Sequence, residues 1–134
     1  MSEEQVGLNF KGLKEMPAYD YSQHVGKKVV IADIEERKHN EYGYYVLVSS
    51  VALDSFENNE KEVVEIKATK ILNLFTDKDE TGNESVFVGK GSKTDLFLKS
   101  MGIENGDYKL LQGKDVQVTK ILKGEKTYLT FEKP

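Results

Sequence analysis

The sequence predicts an all-β domain with one short helix, arranged as a five-stranded Greek-key barrel. Three observations predict it. Three strand-like segments precede a single helical one, that helix falls between the third and fourth long strands, and a closing hairpin returns the chain to the first strand. At 134 residues the chain fits one domain, and 38% apolar residues with thirteen aromatics, seven Tyr and six Phe, suffice for a core.

Residues 1–25 lack periodicity and carry Gly7, Gly12 and Pro17, so they read as an extended N-terminal arm. Leu8, Phe10, Leu13 and Met16 are expected to pack from it onto the barrel, which occupies 26–134. The first strand is expected over Lys27 to Glu36, where the run Val29-Val30-Ile31 gives way to charge. A polar segment from Arg37 to Glu41 leads to the second, Tyr42 to about Leu53. Asp54 to Lys61 is acidic and reads as a turn region. Glu62 to Leu72 then alternates, with Val64, Ile66, Ala68 and Leu72 on one face and Glu65, Lys67 and Thr69 on the other.

Residues 76–85 read as a solvated loop and Val86 to Val88 as a short strand ending at Gly89. Ser92 is placed to cap a helix, with Asp95 three residues on, Leu96, Phe97 and Met101 at helical spacing, and Gly102 where a left-handed residue ends it. Lys114 to Leu122 and Lys126 to Phe131 make the closing hairpin around Lys123-Gly124-Glu125, with Val116, Val118, Leu129 and Phe131 as core.

Nineteen basic and twenty-three acidic residues give a net charge of -4, the wrong sign for a nucleic-acid binder taken as a whole. The acids concentrate in expected loops and ends, whereas lysines recur through the strands and the helix, so a local positive face is compatible with the total. Absence of Cys excludes a disulfide framework, a thiolate zinc site and a cysteine nucleophile. The two histidines, His24 and His39, fall in expected loops, and the carboxylate-rich stretches 54–62 and 77–84 are ill suited to hold an acid–base pair. The expectation is a binding protein with no enzymatic activity, metal or cofactor. An acidic, polar start (Met1 to Gln5) and no run of 18 apolar residues point to the cytoplasm and away from membranes.

The order of elements matches the OB-fold barrel. The stretches GKKVVIADIEERKHNEYGYYVLV, GKGSKTDLFLKSMGI and LQGKDVQVTKILKGEKTYLTF resemble OB-fold single-stranded-DNA-binding proteins of archaeal, phage or viral type, over residues 23–132. That resemblance implies single-stranded DNA or RNA held on the face of strands two and three. Its flanking loops would be Arg37 to Tyr42 and Lys123 to Lys126. Grooves of that family are more basic than this composition.

Single strands are bound by aromatic faces that stack on bases and cations that follow the backbone. Tyr42, Tyr44 and Tyr45 crowd the second strand, and Tyr42 and Tyr44 are expected outward because Tyr45 heads the set containing Leu47 and Val51. Lys67 and Thr69 occupy the polar face of the third strand, and Lys70 the apolar face near its end. Arg37, Lys38, Lys123 and Lys126 belong to the loops. Gly89-Lys90-Gly91-Ser92-Lys93-Thr94 departs from a P-loop, which requires glycine where Ser92 and Phe87 stand, but Lys90 and Lys93 still offer cations at a helix start. The competing reading is a non-catalytic protein-interaction module using the same barrel face, and neither reading excludes an oligomer.

Overall fold

In the computed structural model, residues 9, 10, 12, 13 and 19–134 are described. The Val29-Val30-Ile31 run opens β1 (Lys28–His39), which pairs antiparallel with β2 (Gly43–Ser50) over most of its length. A bulge between Ile31 and Asp33 bends β1, so its first residues, Lys28 to Val30, pair instead with β8 (Asp115–Lys123). β8 turns at Gly124, which has φ +63°, into β9 (Lys126–Glu132), and β5 (Thr69–Asn73) lies on the far side of β2. The resulting sheet is five-stranded in the order β5-β2-β1-β8-β9.

Among the described residues no ladder joins β5 to β9, so hydrogen bonding does not close the expected barrel. The two edges still meet: Lys70 on β5 reaches across and its Nζ donates to the Phe131 carbonyl on β9 at 3.3 Å. The sheet wraps a core of Ile31, Val46, Val48, Leu72, Leu98, Leu111, Val116, Val118 and Phe131. Each such side chain contributes roughly 1.5–3 kcal/mol by leaving water.

Two further hairpins form: residues 54–57, 76–78, 84 and 85 were expected to be turn or loop, whereas 63–66 and Val86-Phe87 were expected as strand. β3 (Asp54–Glu57) pairs with β4 (Val63–Ile66), and β6 (Phe75–Lys78) pairs with β7 (Glu84–Phe87). The acidic turn shrinks to the residues after Glu57, where Asn58 Oδ1 accepts from the Glu60 and Glu62 backbone N–H groups. The solvated loop shrinks likewise to the turn at Asp79, whose Oδ1 accepts from the Thr81 and Asn83 N–H groups. The expected third strand divides at Lys67-Ala68 between two sheets. Buried Ser50 causes the division: its Oγ accepts from the Ala68 N–H, taking a ladder position that a backbone carbonyl would fill.

The helix α1 (Lys93–Ser100) forms as expected. Ser92 Oγ accepts from the Asp95 N–H at 3.2 Å, and Gly102 takes φ +82° after its end. Asp95 reciprocates by accepting from the Gly91 N–H at 2.7 Å, and that bond, with Lys99 second, holds its carboxyl below the usual range. A second 3-10 turn, Tyr108–Leu111, carries buried Leu111 toward β8.

The stretch expected as an extended arm ends in a 3-10 helix, Tyr21–His24, with Tyr19 and Tyr21 packed against the core and His24 buried, not in a loop. Phe10 and Leu13 are exposed, against the expectation that they pack. Leu8 and Met16 lie outside the described residues. His39 ends β1.

Candidate nucleic-acid interface

Side chains alternate along β2, and Val46, Val48 and Ser50 are fully buried, so the residues between them face outward. Tyr44 therefore belongs to the inner face and packs against the core, contrary to the expectation that it points out. Its ring lies under Lys38 Nζ at 5.0 Å and its hydroxyl donates to Glu84 at 3.1 Å, so two neighbouring side chains engage it. Tyr45 takes the outward place.

The outward face contributes to a groove of about 1400 Å³ between β2, β5, α1 and the β8–β9 hairpin. Tyr42, Tyr45, Phe75 and Tyr128 present aromatic rings to it. Tyr42 is 75% exposed and its ring rests against His39, 4.8 Å between centroids. His39 Nδ1 accepts from the Glu41 and Tyr42 N–H groups, so this imidazole shapes the β1–β2 turn that presents Tyr42. Phe75 stacks on Phe87 at 5.8 Å. Gly89 permits this, since a Cβ there would fall 2.7 Å from the Phe75 ring.

Four lysines, Lys70, Lys93, Lys123 and Lys133, line the groove against one carboxylate, Glu132. The acidic total is thus locally reversed. Lys70 is half-buried, its Nζ 4.6 Å from the centre of the Phe97 ring; burial lowers its pKa, opposed by Glu132. Its ammonium is committed to the Phe131 carbonyl and that ring, while Lys93 and Lys123 are exposed. Thr69 lines the groove beside Lys70.

The other expected site residues lie elsewhere. Arg37 sits opposite Tyr45 across the ladder and is paired with Glu35 at 2.8 Å; that contact raises the guanidinium pKa and lowers the carboxyl's. Lys38 covers Tyr44, and Lys67 approaches Glu65 at 3.5 Å. Lys126 stands opposite Lys123 at the hairpin tip, next to the groove lining. Lys90 faces a separate cavity of about 520 Å³ behind the β6–β7 hairpin, lined also by Phe87, Val88 and Glu104.

Sequence reasoning missed Tyr45, Phe75, Tyr128 and the exposed Ile71. Carrying the alternation of the third strand past Leu72 to buried Leu74 would have put Ile71, Asn73 and Phe75 on the outer face together.

These features define a mostly β chain with an open, aromatic and lysine-rich groove on one side of its main sheet. No protein-family model, no curated protein and no solved structure matches it.

Proposed function

We propose that the chain binds single-stranded nucleic acid along this groove, on an OB-type barrel. Its five barrel strands are β1, β2, β5, β8 and β9. The strand order and the placement of α1 between β5 and β8 support that barrel. The observation that carries the function is the gathering of four exposed or half-exposed aromatic rings and four lysines in one groove of a chain whose net charge is -4. Stacking on rings is tolerant of base identity, and lysines neutralise phosphates without reading sequence, so the activity is general capture of exposed strands. Replication or repair intermediates are its natural substrates.

The test is a fluorescence titration with labelled oligo-dT at low and moderate salt. Saturable binding that weakens with salt is expected, and absence of binding at low salt removes the proposal. One observation favours a protein partner instead: Ile71, Leu96 and Ile121 expose aliphatic surface in the same groove. A partner seated there would compete with oligo-dT.

A further inference from the structure

The β8–β9 hairpin has two halves of different character. Its inner half contributes Val116, Val118, Leu129 and Phe131 to the core, whereas its outer half, residues 120–128, contains no buried residue. The two faces of that outer half differ as well. Ile121 pairs with Tyr128 and Lys123 with Lys126, so these four share the face that borders the groove. Leu122 pairs with Thr127 on the opposite face, and alternation places Lys120 beside it.

Leu122 is 68% exposed. A leucine this open at a hairpin tip gains little from packing within its own chain. Lys120 shares its face, where its Nζ donates to Ser22 Oγ at 3.3 Å, while Lys123 and Lys126 stand on the other face of the tip, with Glu125 the one carboxylate there. An apolar tip residue on a hairpin with cations on both of its faces suits a polyanion with an apolar interior, and a stack of base pairs between phosphate backbones has that character.

We infer that the β8–β9 hairpin is a strand-separating pin for duplex nucleic acid at the end of the groove, an inference that rests on the groove binding a single strand. One strand of a fork lies on the Ile121–Tyr128 face and continues into the groove. The first intact base pair meets the tip, where Leu122 stacks on it, and the displaced strand leaves across the opposite face. The hairpin thus stands between the strands. Opening is stoichiometric, because only binding drives it, and is confined to the few pairs next to the fork.

The experiment uses a forked DNA with two dT arms and an AT-rich stem carrying a fluorophore and quencher at the junction. The full chain, at concentrations that saturate the arms, is expected to open the junction. Leu122→Ser is expected to slow opening about tenfold while leaving oligo-dT affinity within about twofold, and Leu122→Met to restore it. Equal opening by Leu122→Ser, or saturated arms with no opening by the native chain, overturns the pin and leaves the groove assignment standing. Failure to bind oligo-dT overturns both. Leu122-dependent binding to phosphatidylserine vesicles without fork opening identifies the tip as a lipid contact and likewise overturns the pin.

Discussion

Tyr44 and Tyr45 are adjacent in sequence and opposite in role, because a strand sends neighbouring side chains to opposite faces. Tyr44 faces the core and shares its hydroxyl with Glu84, whereas Tyr45 lines the groove. Tyr45→Ala is therefore expected to weaken oligo-dT binding by about 1–3 kcal/mol, the value of one stacked base, while Tyr44→Phe leaves the affinity unchanged. Parallel titrations of the two variants check this. Equal loss in both would place the binding surface elsewhere.

A second cluster works on stability. Tyr19 donates to Asp54 at 2.6 Å, which leaves the phenol oxygen to accept from His24 Nε2, also at 2.6 Å, while Lys27 lies 3.2 Å from His24 Nδ1. The cluster ties the 3-10 helix to β3. Partial burial first, and the Asp54 carboxylate second, push the Tyr19 hydroxyl up to about 12. A folded-state pKa above the ordinary value of 10.0 means that Tyr19 contributes stability in full below pH 10 and loses it as the pH rises toward 12. Asp54 moves the opposite way: its hydrogen bond from Tyr19 lowers its pKa, so its contribution is present at neutral pH and fades on acidification. Urea unfolding from pH 7 to 12 should show a smaller alkaline loss in Tyr19→Phe than in the native chain, though not zero, because Tyr108 is also pushed up to about 12 by burial and Glu36.

At the scale of elements, α1 depends on its start. Ser92 and Asp95 satisfy N–H groups at and just before the first turn, so Ser92→Ala is expected to cost about 1 kcal/mol, measured as a lower urea midpoint with an unchanged m value. This helix was legible in the sequence because cap, apolar spacing and terminal glycine agreed, and β1, β2 and the β8–β9 hairpin were legible because each has one apolar face. The β3–β4 and β6–β7 hairpins were legible only by halves: β4 read as part of the third strand and Val86-Phe87 as a short strand, but β3 and 76–85 read as turn and loop. Every residue of β6 and β7 is exposed, so neither strand has a buried face to impose alternation. The facing of β2 was ambiguous for the converse reason: Tyr45 and Leu47 are as apolar as Val46 and Val48, and buried Ser50 reads as a surface residue until its hydroxyl is seen bonding to the Ala68 N–H and the Val51 carbonyl.

At the scale of the whole molecule, the net charge and the groove charge have opposite signs, and distance decides which a ligand feels. Beyond a Debye length, about 8 Å in physiological salt, the acidic exterior is screened, while lysines inside the groove lie within contact range of a bound backbone. With Lys70 committed to the Phe131 carbonyl, the three other groove lysines, each displacing one condensed counterion from a single strand, predict that log K falls against log salt with a slope of about -2. Lys123→Met should lower that slope by about 0.7 and weaken binding equally for oligo-dT and oligo-dA, since a phosphate contact carries no base information. Lys67→Met, outside the groove and beside Glu65, should leave the slope as it was. Titrations of the three proteins at four salt concentrations decide the matter: a slope near zero in the native chain would mean that the lysines do not meet phosphate, and a loss on Lys67→Met equal to that on Lys123→Met would move the backbone path out of the groove and onto the β4 side of the molecule.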